Sequence, residues 1–255
     1  MANYGYHVTG RESSGPTEHA KYKYWAINSY FRVPDLVQAD LSSGSHPEFI
    51  YSIWGKAGQG IDIGIGYGFA AAPTKWSMFA YGAVTADNTW DESTTRFDLT
   101  PGETILIAAV IDKSAPYVKL TLTRPSQSSP FATFNTQITS AAHNDLKKGA
   151  RFVRETLISS NKSNNMHSNG ARFKFAKWYR GTLTTMSNTY EALRGNLISS
   201  KADSGTIDRT RICTYCITET WPGDSGGFGC ECATASFGPK PADAGMTGDF
   251  PCVRY

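Results

Sequence analysis

Gly60-Ile61-Asp62-Ile63-Gly64-Ile65-Gly66-Tyr67-Gly68-Phe69 is two interleaved patterns. Ile61, Ile63, Ile65 and Tyr67 hold one set of alternate positions, and Asp62, Gly64, Gly66 and Gly68 hold the other. Successive side chains of a β-strand point to opposite faces, so the segment reads as a strand with one apolar face for a core and a second face nearly bare of side chains. Glycine weakens a strand unless another group must approach its backbone. Tight sheet packing meets that condition, and so does a ligand groove floored by Gly64 and Gly66. The groove is favoured because the polar side chain on the bare face is the Asp62 carboxylate.

Segments of the same texture lie on both sides. Tyr24 to Val33 is aromatic and β-branched and stops at Pro34, and Phe49 to Trp54 follows a polar loop. Lys75 to Val84 and Arg96 to Leu99 continue the pattern, and the turn Thr100-Pro101-Gly102-Glu103 feeds Thr104 to Ile111, apolar enough for a central strand. Tyr117 to Thr123 alternates, and Phe131 to Ile138, Arg151 to Ile158 and Ala171 to Leu183 complete the set. His143 to Lys148 reads as a polar connection, and Asn188 to Ile198 as the segment with helical character. Short strands with regular turn signals predict an all-β fold, a two-sheet antiparallel sandwich of the jelly-roll kind. Residues 1–20 read as an N-terminal arm, 21–199 as the sandwich domain, and 200–255 as a Cys-rich, loop-rich extension packed on it.

The composition narrows the function classes. Hydrophobic residues at 40% against 18% charged, with 13 Tyr, 13 Phe and 6 Trp, exclude a disordered chain. A net charge of +3 with no basic stripe argues against nucleic acid as a partner. No stretch approaches the roughly 20 apolar residues of a membrane-spanning helix. Residues 1–11 lack the apolar core of a secretory signal, so secretion requires a leader already removed, and cytoplasmic residence is the alternative. The sequence specifies no oligomeric state and implies no cofactor.

Five pieces in order carry a family resemblance: Tyr30-Phe31-Arg32-Val33-Pro34, Ile53-Trp54-Gly55, Asp62-Ile63-Gly64-Ile65-Gly66, Leu99 to Ile105, and Ala150-Arg151-Phe152-Val153-Arg154-Glu155. The set resembles the glutamic peptidases, or eqolisins. That resemblance implies a concanavalin A-like β-sandwich that is secreted and cleaves polypeptides at acidic pH with a Glu and Gln pair. Glu155 falls at the family's catalytic Glu. Asp62 falls where the family has its Gln, and an ionised carboxylate cannot donate the hydrogen bond an amide supplies. Gln59 stands three residues earlier, on the opposite strand face if the strand is unbroken.

Two chemistries follow. Asp62 and Glu155 facing each other on the concave sheet, with a proton shared between them, would form the acid/base pair of an acid hydrolase acting on a polypeptide. Alternatively the groove, with Gly64, Gly66, Trp54, Trp76 and Tyr81, binds a glycan without cutting it, since aromatic faces pack on sugar rings and carboxylates accept hydroxyl hydrogen bonds. A structural or self-assembling sandwich is the third reading, in which Glu155 simply pairs with Arg151 or Arg154.

Gly223-Asp224-Ser225-Gly226-Gly227 resembles the nucleophile loop of chymotrypsin-like serine peptidases, with His143 and Asp203 or Asp208 as partners. The 82 positions from His143 to Ser225 and the 30 after it are too few for that fold. Cys213, Cys216, Cys230, Cys232 and Cys252 supply either a zinc site or disulfides, and the resemblance to a secreted family favours disulfides and no metal. His7, His19, His46 and His167 lack ligand spacing and read as surface residues.

Overall fold

The alternation at residues 60–67 is realised as a strand with Ile61, Ile63 and Ile65 at 1%, 0% and 0% exposure. A slip of one residue would turn all three outward, at about 1.5–3 kcal/mol each, which fixes the register of everything paired to it. The computed structural model describes residues 6–13, 21–36, 45–69, 74–85, 89–160, 172–193, 197–201, 210–213 and 231–236.

Along the chain the strands are β1 (Tyr6–Glu12), β2 (Tyr24–Arg32), β3 (Asp35–Leu36), β4 (Ser45–Gly55), β5 (Gly60–Tyr67), β6 (Trp76–Gly82), β7 (Trp90–Phe97), β8 (Thr104–Ile111), β9 (Tyr117–Thr123) and β10 (Ala132–Gln137). Helix α1 (Ser140–Leu146) precedes β11 (Ala150–Ser160), β12 (Arg172–Thr185), β13 (Tyr190–Ala192), β14 (Leu197–Lys201), β15 (Thr210–Cys213) and β16 (Glu231–Ser236). All pairing is antiparallel. One layer runs β14-β1-β11-β4-β5-β6-β7, and the other runs β10-β9-β8-β2-β12-β16-β15 with β3 and β13 also on β12. Among the described residues two pairs join the layers, Ala150 with Tyr24 and Val84 with Ile138. The fold is therefore the antiparallel sandwich the strand pattern predicts.

The layers close on one core. Phe31 of β2 meets Phe49 of β4 at 4.5 Å and Trp178 of β12 at 4.8 Å, and the Tyr51 hydroxyl donates across the sandwich to the Ile107 carbonyl at 3.0 Å. Arg154 is fully buried here, its Nη1 donating to Ser29 Oγ at 3.1 Å. Val33, Leu99 and Ile105 belong to the same buried cluster.

Several local expectations are corrected. Residues 6–12, within the expected arm, form β1, which is hydrogen-bonded to β11 on one edge and β14 on the other. Pairing on both edges makes a strand of a segment whose polar sequence shows no period. Residues 143–148, read as a connection, belong mostly to α1, because Thr139 is an extended N-cap whose hydroxyl accepts from Ala142 N at 3.2 Å. Residues 188–198, read as helical, instead complete a hairpin and enter β13 and β14. The Thr185 amide donates to the Thr189 carbonyl at 2.9 Å, and Asn188 takes the left-handed φ of 62° that such a turn requires. In the expected loop-rich extension, β15 and β16 pair with each other, and β16 extends the β12 edge.

Candidate functional site

The site is built across neighbouring strands of the β1 layer, on the face turned away from the core. Register places Ser52 opposite Asp62, Asp62 opposite Tyr81, and Tyr81 opposite Trp90. One step along, Glu155 stands opposite Ile50, Ile50 opposite Gly64, and Gly64 opposite Phe79. Opposed residues of an antiparallel pair share a face, so Asp62 and Glu155 emerge on the same side with β4 between them. Ser52, which the sequence pattern did not single out, fills that gap.

The Ser52 hydroxyl donates to Asp62 Oδ1 in a very short hydrogen bond. Both carboxyls are only partly exposed. Burial pushes Asp62 up to about 6, against the Ser52 bond that acts to lower it. Burial is also the first cause for Glu155, followed by the negative charge of Asp62, and together they push it up to about 8; Ser52 and the Arg151 charge oppose this without cancelling it.

The bare face of β5 is not an open groove. A Cβ on Gly66 would stand 2.3 Å from the Phe69 ring, and one on Gly60 would stand 2.4 Å from the Trp54 ring. A Cβ on Gly64 would stand 2.2 Å from the Phe49 carbonyl oxygen and 2.6 Å from Ile50 Cα. The glycines admit neighbouring rings and backbone, and Gly64 and Gly66 are buried, so the expectation that they line a ligand floor is corrected. Phe69 packs edge-on to Phe79 and Trp90 at 5.1 and 5.2 Å, while Phe79 stacks on Trp90 at 4.8 Å. With Ile50 they form a second apolar cluster that walls one side of the acids.

Trp54 and Tyr81 keep one side in solvent, at 38% and 37% exposure. Trp54 lies over Gly60, and Tyr81 faces Asp62 from β6, so the two rings flank the acid. Trp76, expected with them, is 2% exposed and sits in the main core against Phe49 and Tyr67. Its position opposite Tyr67 gives it the core parity of β6. Gln59 lies in the turn between β4 and β5, where its amide donates to Asp145 Oδ2 at 3.3 Å and its carbonyl accepts from the Gly55 amide at 2.8 Å.

No family model and no curated protein matches the chain. Its structure is similar to a pseudo β-1,3-glucanase and immunostimulatory antigen of Mycobacterium tuberculosis, at TM-score 0.36 and 13% identity, covering 55% of each chain. It is also similar to a non-specific endo-β-1,3(4)-glucanase, at TM-score 0.34 and 11% identity over 55% of this chain and 49% of that one. A laminarinase from Flavobacterium sp. UMI-01 gives TM-score 0.35 and 16% identity over 63% and 69%. This chain thus spans about half the length of the first two. Likeness this slight says nothing of the chain's own activity. The glutamic-peptidase resemblance is withdrawn: no family model matches the chain, and the solved structures it is similar to are described as glucanase-type proteins. The site agrees: Asp62 occupies the amide's place, and Gln59 is held in a turn. With the family go the acid-peptidase activity and the polypeptide ligand it implied.

The serine-peptidase reading also fails at its histidine. His143 is buried in α1, and its Nε2 bonds the Asp112 carbonyl at 3.0 Å, so that nitrogen carries its proton toward the backbone. Ser225, Asp203 and Asp208 lie outside the described residues, as do Cys216, Cys230 and Cys252. Among the described residues no group of three or more His, Cys, Asp or Glu could hold a metal, and no helix is long and apolar enough to cross a membrane. His46, expected at the surface, is largely enclosed beside Phe69, and burial lowers it against hydrogen bonds to the backbone of Tyr67 and Gly68.

Proposed function

We propose that the outer face of the β1 layer is a carbohydrate-binding site that holds its ligand without cutting it. The observation that carries this reading is the placement of two half-open aromatic rings, Trp54 and Tyr81, on either side of the Asp62 carboxylate. The C–H faces of a sugar ring pack on such rings, and its hydroxyls need an acceptor fixed beside them. Asp62 is fixed, because Ser52 takes one of its oxygens and two neighbouring strands hold its backbone. The wall of Phe69, Phe79 and Trp90 closes one side and leaves the Trp54 side open to further sugar units.

Calorimetry with neutral oligosaccharides, after a glycan array to choose them, tests the reading. Truncating either ring removes contact of about 1–2 kcal/mol. Trp54→Ala and Tyr81→Ala should therefore each weaken binding roughly tenfold. Trp76→Phe, in the core, should leave affinity unchanged. If no array glycan binds, or the two truncations bind like the unaltered protein, the site is not a sugar site. If the bound oligosaccharide is recovered shortened, the reading of binding without cleavage is wrong.

A further inference from the structure

We propose that this face takes the end of a glycan chain: one terminal sugar unit in the corner between Asp62 and Tyr81, the next unit on Trp54, and no internal stretch of a longer chain. The inference rests on the carbohydrate reading above and adds to it which part of the chain is held.

Four directions lead away from Asp62 along the sheet, and the register fixes what stands in each. One pair step along β5 lies the row of Ile50, Gly64 and Phe79. Ile50 and Phe79 are buried there, and the Phe69 ring covers Gly66 one pair step further. Trp90 leans back from its place opposite Tyr81 to stack on Phe79 at 4.8 Å. Side chains stand roughly perpendicular to a sheet, so these rings rise from the face as a stop. Sideways toward β11, the row of Asp62 continues through Ser52 and Val153, both buried, which closes that direction as well. Sideways the other way is Tyr81, with its half-open ring. In the remaining direction, one pair step along β5, is Gly60 under the half-open Trp54 ring, and the turn beyond it is exposed at Lys56, Ala57 and Gly58. The corner thus has two closed sides, one aromatic side and one exit.

The spacing suits sugar units. Two residues of a strand advance about 6.6 Å, close to the advance of one unit along a linear glycan. Asp62 is one such step from the wall and one from the Trp54 platform. A terminal unit at Asp62 therefore abuts the wall while the second unit lies on Trp54 and the rest of the chain leaves over the turn. An internal unit has a neighbour on each side, and at Asp62 one of them would be driven into Ile50 and Phe79. A packed apolar cluster resists that, because its rings have no free volume to move into. The terminal unit also carries a hydroxyl that an internal unit has spent on its glycosidic bond. Ser52 bonds Asp62 at Oδ1, which leaves Oδ2 to accept that hydroxyl.

Calorimetry on the full chain tests this, with glucose, mannose and galactose oligomers of one to six units, each series beside the polymer of its own linkage. For the series that binds, affinity should rise from the monosaccharide to the disaccharide and stay level to the hexasaccharide, with one protein bound per polymer chain. Trp54→Ala should bring the disaccharide back to the affinity of the monosaccharide, about tenfold weaker, and Tyr81→Ala should weaken both. Affinity that keeps climbing with length, or several proteins bound along one polymer chain, overturns the chain-end inference and leaves the carbohydrate reading intact. Loss of monosaccharide binding in Trp54→Ala overturns it too, because that ring would then hold the terminal unit. If no series binds, the carbohydrate reading falls and the chain-end inference falls with it.

Discussion

Asp145 belongs to no motif, yet it sets the position of the aromatic platform. Its carboxylate accepts from the Ala57 amide at 2.9 and 3.0 Å and from Gln59 at 3.3 Å, which fastens the turn from β4 to β5 onto α1. That turn separates Trp54 from the Gly60 on which its ring lies. Asp145 is 8% exposed, while the turn it holds is exposed at Ala57 and half-buried at Gln59, so its loss would leave those amides to water. Hydrogen bonds to a charged group are worth about 1.5–3 kcal/mol, and Asp145→Ala should cost about the lower end of that range in stability. The urea midpoint reads this directly, and an unchanged midpoint would show that the turn holds itself. Oligosaccharide affinity should fall as well, because the Trp54 ring loses its fixed seat.

At the scale of elements, β5 tests why its glycines are there. Gly66 and Gly64 both lack room for a Cβ, but the obstacles differ. At Gly66 it is the tip of the Phe69 ring, which can swing; at Gly64 it is the Phe49 carbonyl and the Ile50 backbone, which move only if β4 and β5 part. Gly64→Ala should therefore destabilise by about 1–3 kcal/mol or more, and Gly66→Ala by clearly less. Thermal melting of the two variants checks the order, and the reverse order would mean that the Phe69 wall is the stiffer part. The strand itself was legible, because period-two alternation reports which residues share a face. What covers that face was not legible, because Phe69 folds back from beyond the strand end and Ile50 arrives from another strand. Ser52 was hidden for the same reason: serine in a strand carries no signal until the register sets it beside Asp62 and Glu155. Parity could have excluded Trp76, since β6 buries Met78 and Ala80 on the same face. The polar β1 and the Asn188 turn depended on partners distant in sequence, which a local pattern does not contain.

For the whole molecule, the two acids tie the site to stability. A carboxyl whose value is raised on folding binds its proton more tightly in the folded chain, so stability falls as pH rises between its unfolded and folded values. For Asp62 that interval runs from 3.8 to about 6, and for Glu155 from 4.5 to about 8. Their joint contribution is complete below about pH 4 and is lost by roughly pH 8. Other groups push the opposite way over part of this range. Glu191, lowered by its bonds to Lys23 and Tyr24 despite burial, and Asp112, lowered by Ser114, add stability as pH rises out of the acid region. His46, lowered by burial, adds stability as pH rises toward its unfolded value of 6.5. Above that point the Glu155 contribution is unopposed by these three, so the clean interval is pH 7 to 9. Urea unfolding there should show the unaltered protein losing stability as pH rises. Asp62→Asn with Glu155→Gln, which carries no titrating carboxyl at the site, should be flat over the same interval. If both proteins lose stability in parallel, the pH dependence arises elsewhere, and the acids do not keep a proton in the folded chain.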